Sequence, residues 1–274
     1  MADWIYERDG DVYAPSEWAG SPWSAEMQHG GPVNALFARS VEQAGQESGL
    51  QVARLTVDLF RPVPVRPLRL GHRAIRQGRR LAALDLELRD PDSDEVLTRA
   101  SAVLLKPTAE LSPSWGQGDS SPSRHDDLPK VEFMPRAYRN TTPPGFHWSL
   151  ELRAAAEGDE LTWIHTPLDL VRGEPTTPLQ RMAAVADLTF GLSGRMLFAR
   201  RRASPEVARV AFINTDTTIY LERPPVGDWF AFRPGLLTDR DGVGLADVEL
   251  LDEHGRLGRS LQALLANPGN PGGG

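Results

Sequence analysis

A single aspartate interrupts an apolar run in the second half of the chain. Residues 182–188 read MAAVADL, and Asp187 is the one ionisable residue among them. A carboxylate inside an apolar helix needs hydrogen-bond partners or a chemical task, because removing its charge from water is costly. One such task is general-base catalysis, which is typically worth about a hundredfold to ten-thousandfold in rate. The alternative is that Asp187 lies at the edge of the apolar face and contacts solvent.

A pair of glycines lies at the start of a predicted helix, in the sequence His29-Gly30-Gly31-Pro32. The first N–H groups of a helix have no intrahelical partner and can donate to a developing oxyanion. Glycine lets a substrate carbonyl approach the backbone closely, although Gly-Gly-Pro is also an ordinary helix start. We expect His29 to be structural rather than catalytic, and Asn34, in the first turn, to reach the same pocket.

One amide lies on an otherwise apolar strand near the end of the chain. Gln262 is flanked by Leu261 on one side and by the run Ala263-Leu264-Leu265 on the other. A polar side chain in this setting favours a functional role, since buried amides need hydrogen-bond partners. The alternative is an edge position that faces water.

Other chemistries find little support in the sequence. The absence of cysteine excludes disulfides, thiolate metal sites and a cysteine nucleophile. Gly191-Leu192-Ser193-Gly194 lacks the spacing of a serine-hydrolase elbow, and the six histidines form no helical i, i+4 pair that would bind a metal. We therefore predict no metal and no cofactor.

Charge and hydropathy restrict the partners and the compartment. A formal charge of -7 without a long basic run argues against nucleic acid as a partner. No apolar stretch is long enough to span a membrane, and no basic region followed by an apolar one begins the chain. These features predict a cytoplasmic protein without a membrane partner.

Two segments with helical spacing would position the candidate groups. The first follows Pro32 and the second follows Thr176-Thr177-Pro178, and both carry apolar residues at i, i+3, i+4 and i+7. Proline suits the first turn of a helix, because its missing N–H would have had no partner there. The two segments therefore form a weak internal repeat.

The strands repeat in the same way. Each predicted helix is followed by a strand that ends in Arg-Pro, at residues 55–60 and 213–222. Two further strands follow in each half: 82–88 and 99–105 in the first, 246–250 and 259–265 in the second. We predict a first domain over residues 1–106, a linker rich in Ser, Pro and Gly over 107–144, a second domain over 145–266 and a disordered tail over 267–274.

Several motifs in this framework resemble one family. They are His29-Gly30-Gly31-Pro32, Asn214-Thr215-Asp216 with Leu221-Glu222-Arg223-Pro224, Gly242-Val243-Gly244-Leu245-Ala246 and Gly258-Arg259-Ser260-Leu261-Gln262. Together they resemble the thioesterase-like superfamily related to acyl-CoA thioesterase II. The resemblance covers nearly the whole chain apart from the linker and the tail. It implies an α+β fold, a tandem hotdog in which each half wraps an antiparallel sheet around a long helix.

The resemblance also implies roles for particular residues. In that family an aspartate on the second helix, a Ser or Thr on the following strand and a Gln on the last strand hold the attacking water. The counterparts here are Asp187, Asn214 and Gln262. Asn214 departs from the usual hydroxyl residue, and Thr215 or Thr217 would supply a hydroxyl after a small register change. A hotdog hydratase would need an Asp and a His near the start of the helix, a pair that is absent.

We therefore expect a cofactor-independent hydrolase of acyl-CoA, acting in lipid metabolism, with the amides of Gly30 and Gly31 as oxyanion donors. The alternative is a non-catalytic acyl-CoA binding protein of the same fold, and assembly into a homo-oligomer stays open. Aligning Pro32 with Pro178 places Val41 opposite Asp187, and aligning Arg99 with Arg259 places Ala102 opposite Gln262. The sequence thus predicts one complete composite site built from both halves, and one vestigial site. The alternative is that both interfaces bind ligand and only one of them reacts.

Overall fold

A computed structural model describes residues 3–111, 124–133, 142–155, 161–193 and 210–268. Within these ranges, fifteen strands form one sheet. Six belong to the first part of the chain: β1 Trp4–Asp9, β2 Val12–Pro15, β3 Gln51–Asp58, β4 Leu68–Gln77, β5 Leu81–Arg89 and β6 Val96–Leu105. The others are β7 Lys130–Val131, β8 Glu151–Ala154, β9 Thr162–His165, β10 Asp169–Val171, β11 Val210–Asn214, β12 Asp216–Leu221, β13 Phe230–Arg240, β14 Val243–Asp252 and β15 Gly255–Pro268.

The order of the strands places the two parts of the chain side by side. It runs β10-β1-β2-β4-β5-β6-β3-β12-β15-β14-β13-β9-β8-β7, and β11 also pairs with β15. The two parts meet where β3 and β12 pair in antiparallel register, with Thr56 opposite Thr218 and their hydroxyl oxygens 3.3 Å apart. The sheet is therefore continuous across the junction. The alternation predicted for residues 82–88 is confirmed, since every second residue of β5 is buried.

The helices lie where the repeat predicts them. α1 spans Gly30–Ser48 and ends at Gly49, whose φ of 63° is left-handed. α2 spans Phe146–Ser149, and α3 spans Pro178–Ala186 with Thr177 as its N-cap. α1 packs against α3 and against β3, β4 and β6, while α3 also packs against β9 and β12. Among the described helices, none is long and apolar enough to cross a membrane.

Two predictions about continuity are wrong. Asp187 does not lie inside an unbroken helix: α3 ends at Ala186, a turn follows, and residues 189–193 are helical again. The strand predicted over 213–222 is two strands that are interrupted at Thr215. There, Thr215 donates its N–H to the carbonyl of Ala263, and the Asp216 carboxylate accepts from the N–H of Ala263. The side chain of Asp216 thus accepts one hydrogen bond that a backbone carbonyl would accept in a regular pair of strands.

The segments predicted as linker and tail carry some regular structure. Of residues 107–144, the structure describes 107–111, 124–133 and 142–144, and Lys130–Val131 pairs with β8. Arg153 on β8 donates to the carbonyls of His125, Asp126 and Leu128, at 3.2 to 3.4 Å. β15 includes Asn267 and Pro268, two residues of the segment predicted as a disordered tail. Residues 269–274 lie outside the described residues.

Candidate active site

The carboxylate of Asp187 is buried at the turn that follows α3. Its residue is 9% exposed, so the alternative of a solvent-facing Asp187 is wrong. Oδ1 accepts a hydrogen bond from Nδ2 of Asn214 at 2.9 Å, and Oδ2 lies 3.0 Å from Nδ1 of His29. The break in the helix thus points this carboxylate away from α3, toward β11 and the start of α1.

The backbone of Gly30 packs against this carboxylate. A Cβ atom on Gly30 would lie 2.5 Å from Asp187 Oδ1, which is closer than real Cβ atoms approach other atoms. Only glycine therefore lets the carboxylate occupy its place. As the first residue of α1, Gly30 has an N–H with no intrahelical acceptor, and the described residues offer it no other.

Gly31 is needed for a different reason. A Cβ atom there would lie 2.5 Å from the backbone carbonyl oxygen of Ala184 and 2.7 Å from the ring of Phe146. The absence of a side chain at Gly31 thus permits the close contact between α1 and α3. Its N–H donates to Nδ1 of His29 at 3.1 Å, so in this arrangement it is already used as a helix cap.

Gln262 is fully buried, so the alternative of a water-facing edge position is wrong. Its Oε1 accepts from the N–H of Phe190 at 2.8 Å, while Nε2 donates to the backbone carbonyl of Asp187 and to Oγ1 of Thr217, both at 2.9 Å. These backbone groups are the ones that the break in the helix leaves without helical partners. The amide therefore stabilises the break that orients Asp187 and does not contact the Asp187 carboxylate.

Three further candidates, Thr215, Thr217 and Asn34, make no hydrogen bond to this carboxylate. Thr215 is exposed and its hydroxyl donates to the carbonyl of Ala263 at 3.3 Å. Thr217 is buried and accepts from Gln262. Asn34 is fully buried in α1, and neither of its side-chain polar atoms has a partner among the described residues. None of the three lines the cavity described next.

A cavity of about 870 Å³ opens beside Asp187. Gly30, His29 and Asn214 share its polar wall with the aspartate. Most of the remaining wall is apolar, formed by Val33, Leu59, Phe60, Val63, Phe133, Leu188, Phe190, Phe212 and Ile213. Such a cavity suits an apolar group whose polar end lies against the carboxylate.

Sequence reasoning missed three contributors to this site. His29 is the N-cap of α1 and contacts Asp187, and its position directly before Gly-Gly was the available signal. Glu132 and Phe133 reach the cavity from the segment predicted as linker, where the surrounding Ser, Pro and Gly concealed them. Across the described ranges, no group of three or more His, Asp or Glu side chains is arranged to hold a metal ion.

The start of α3 shows a related arrangement without a cavity wall of this kind. Glu42, one residue after the Val41 that the alignment places opposite Asp187, accepts from Oγ1 of Thr177 at 2.8 Å and from Nε2 of Gln180 at 2.9 Å. The first half therefore supplies a carboxylate one residue beyond the position that the alignment places opposite Asp187. This carboxylate is bound to the side chains that begin the helix.

The sequence matches known families in two adjoining stretches. Residues 19–105 match the family model of the acyl-CoA thioesterase N-terminal domain, and residues 110–266 match that of the acyl-CoA thioesterase C-terminal domain. No curated protein matches the chain at a significant level.

Several solved structures are similar along the full length. The TesB protein of Mycobacterium avium subsp. paratuberculosis is 16% identical, with a TM-score of 0.64 and coverage of 96% of both chains. Acyl-CoA thioesterase II of Mycobacterium marinum is 15% identical, with a TM-score of 0.61 over 98% of this chain and 95% of that one. A hotdog-fold protein of unknown function from Alicyclobacillus acidocaldarius is 17% identical, with a TM-score of 0.62 over 97% and 96%. This likeness shows the α+β hotdog fold.

Proposed function

The chain belongs to the acyl-CoA thioesterase family, and from this premise we propose that it hydrolyses acyl-CoA thioesters to a free acid and CoA, with Asp187 as the base. The observation that carries the proposal is the buried Asp187 carboxylate, which lies on the wall of an apolar cavity against Gly30 and Asn214. Fatty and related acyl groups fit such a wall because their chains are apolar.

In the proposed mechanism, water attacks the carbonyl carbon of the thioester while Asp187 accepts one proton from that water. The electron pair of the C=O bond moves to the carbonyl oxygen, and the free N–H of Gly30 donates to this oxyanion at the start of α1. Collapse of the tetrahedral intermediate re-forms C=O and breaks the C–S bond. The thiolate takes up the proton that Asp187 had accepted, which restores the carboxylate.

Two further residues support this chemistry. Asn214 donates to Oδ1 of Asp187 and fixes the orientation of the carboxylate, a task that an amide performs without competing for the proton of the water. Gln262 acts one step further away, because it holds the turn in which Asp187 lies. We therefore assign Gln262 a positioning role in place of the water-holding role that the resemblance implies.

We also propose that the molecule is a tandem hotdog with one composite site. In its support, the strand order continues from β3 and β12 into comparable antiparallel runs on both sides, and α1 packs against α3. His29 and Gly30 come from the proposed first domain, residues 1–106. Asp187 and Asn214 come from the second, residues 145–266. Neither half holds both the base and the oxyanion donor.

The test is the release of free thiol from a panel of straight, branched and aromatic acyl-CoAs, with the Asp187→Asn variant as the background. Turnover by the wild type that exceeds this background supports the hydrolase. Binding of acyl-CoA without any thiol release would instead identify a non-catalytic acyl-CoA binding protein. In that case the base and oxyanion roles given above would be wrong.

A second measurement addresses the composite site. Titration with a non-hydrolysable acyl-CoA analogue should reach saturation at about one equivalent per chain, because Asp187 at the start of α1 lines a cavity, whereas Glu42 at the start of α3 is bound by Thr177 and Gln180. Two equivalent sites per chain, or one site away from Gly30 and Asp187 in a crystal of the complex, would contradict the composite site.

A further inference from the structure

One nitrogen of His29 lies between the proposed base and a backbone N–H. Nδ1 is 3.0 Å from Oδ2 of Asp187 and 3.1 Å from the backbone nitrogen of Gly31. The residue is 8% exposed, and its ring is enclosed by Phe146 at 5.3 Å and by His147 at 6.4 Å, measured between ring centroids. The ring is therefore held in a position where both neighbours compete for the same atom.

The two contacts cannot both be hydrogen bonds at once. An imidazole nitrogen carries either a proton or a lone pair in the plane of the ring. With a lone pair, Nδ1 accepts from Gly31 but meets the carboxylate of Asp187 as a second acceptor. With a proton, Nδ1 donates to Asp187 and the N–H of Gly31 loses its acceptor. One proton position thus determines the state of both groups.

We propose that His29 is a positioning residue that couples the base to the oxyanion donors, an inference that rests on the function proposed above. In the reactive form, Nδ1–H donates to Asp187 and orients its carboxylate. The N–H of Gly31 is then free to donate to the thioester oxygen beside the N–H of Gly30. In the resting form, Nδ1 accepts from Gly31 and closes the helix end, so binding of the carbonyl competes with the cap.

The choice of residue at this position supports the inference. Serine, threonine, asparagine and aspartate are the preferred N-caps, and α3 uses Thr177 in the ordinary way. The cap of α1, in contrast, is a histidine whose capping atom is also within hydrogen-bond distance of a buried carboxylate. Capping alone does not call for an imidazole. His29 keeps its proton through the reaction, and the water proton passes by way of Asp187 to the sulfur.

Replacement of His29 by serine separates capping from coupling. Serine is a good cap but is too short to reach Asp187, so His29→Ser should retain the thermal midpoint of the wild type. Because Gly31 stays capped and the carboxylate loses a donor, kcat should fall about 100-fold, with KM within about twofold. Thr177→Ser is the matched control, a change of cap at the other helix that should leave kcat unchanged.

A spectroscopic measurement on the wild type keeps the inference testable even if the variant does not fold. The 15N shift of His29 Nδ1, assigned through bonds from the backbone, should report a protonated nitrogen once a non-hydrolysable acyl-CoA analogue is bound. Normal kcat in His29→Ser, or an unprotonated Nδ1 in the analogue complex, would overturn the coupling while wild-type thiol release still supports the hydrolase. Absence of thiol release by the wild type would overturn both.

Discussion

Each of the two longer helices begins beside a carboxylate: Asp187, in the turn after α3, lies at the start of α1, and Glu42 of α1 lies at the start of α3. The surroundings of these two carboxylates differ. At the start of α1, Asp187 lies on the wall of the cavity with Asn214 as its amide donor. At the start of α3, Glu42 accepts from the Thr177 hydroxyl and the Gln180 amide. The same Thr177 hydroxyl also caps the helix by accepting from the N–H of Gln180 at 3.3 Å.

The difference shows what turns a helix start into a reactive site. Both carboxylates gain from the positive end of a helix dipole. Glu42 accepts hydrogen bonds from the side chains of Thr177 and Gln180, and it thereby stabilises the start of α3. Asp187 instead faces a glycine, which leaves room beside the carboxylate and an N–H without an acceptor. The glycine and the cavity, more than the carboxylate itself, therefore distinguish the two starts.

The largest expected effect comes from neutralising Asp187, and the same change at Glu42 serves as the comparison. Asp187→Asn keeps the size of the side chain but removes the base, so kcat/KM should fall by about a hundredfold to ten-thousandfold while the protein stays folded. Glu42→Gln is the matched change at the other start and should leave kcat/KM within about twofold. Steady-state thiol release checks both. Equal losses in the two variants would remove the distinction between a reactive and a structural start.

A smaller effect is expected from a methyl group at each glycine of the first start. Gly30→Ala should push the Asp187 carboxylate aside and lower kcat at least tenfold, roughly what one misplaced catalytic group costs, with little change in stability. Gly31→Ala should instead lower the free energy of unfolding by about 1–3 kcal/mol, because its Cβ meets the backbone of Ala184. Kinetics and denaturant unfolding of both variants test this assignment.

For Gly31, the structure predicts a different order of effects on turnover and stability from the order that the sequence predicts. From the sequence alone, a bulky residue at Gly31 should impair turnover more than stability. The contacts of Gly31 with Ala184 and Phe146 predict the opposite order. A stable Gly31→Ala variant with low kcat would restore the original expectation and would place the substrate carbonyl nearer to Gly31 than to Gly30.

Loss of the cap at the second start should affect stability alone. Thr177→Ala removes the hydroxyl that binds both Glu42 and the N–H of Gln180, and we expect it to lower the free energy of unfolding by about 1 kcal/mol. Turnover should be retained, because α3 begins away from the cavity. Thr215→Ala, at an exposed hydroxyl, is the control. A lower kcat in Thr177→Ala would indicate that the second start contributes to the reaction.

The smallest expected effect on stability concerns the pairing of β3 with β12 at the junction between the two halves. The residue pairs at the two ends of this junction differ in charge. Asp58 pairs with Asp216 at one end, whereas Arg54 pairs with Tyr220 at the other. Burial, followed by the charge of Asp216, raises the pKa of Asp58 above its ordinary value. Because the folded state then binds the proton more tightly, the charged form of Asp58 destabilises the fold at neutral pH.

Asp58→Asn should therefore raise the free energy of unfolding at pH 7, by less than about 0.5 kcal/mol because solvent screens an exposed pair. The gain should vanish as the pH falls through the raised pKa of Asp58, where the wild-type side chain is itself neutral. Unfolding curves across this pH range test the sign. A gain that persists in acid would assign the effect to packing rather than to charge.

Much of the fold could be predicted from local patterns. Pro32 and Pro178 mark the starts of α1 and α3, and the alternation in residues 82–88 identifies β5 and its buried face. The apolar spacing identifies the buried face of β5 in the first half and of β14 in the second, whereas residues 31–41 of α1 are buried on every side. The predicted grouping of Gly30, Asp187 and Asn214 matches contacts in the structure.

The break after Ala186 could not be predicted in this way, because the apolar spacing continues through it. What permits the break is Gln262, a residue far along the chain whose amide replaces two helical hydrogen bonds. The contact between His29 and Asp187 could not be predicted for a similar reason. A helix cap depends on neighbouring residues, whereas this contact joins residues that are far apart in the sequence. Long-range hydrogen bonds thus set the parts of the site that spacing alone does not reveal.

The pairing of β1 with β10 has a consequence for synthesis of the chain on the ribosome. These strands are parallel, with Trp4 opposite Asp169 and Tyr6 opposite Val171. One edge of β1 pairs with β2, which follows directly, but its other edge stays unpaired until β10, far along the chain, has been translated. Asp187 and Asn214 are translated later still. A nascent chain that ends before Asp187 therefore has an unpaired edge on β1 and lacks the base of the proposed site.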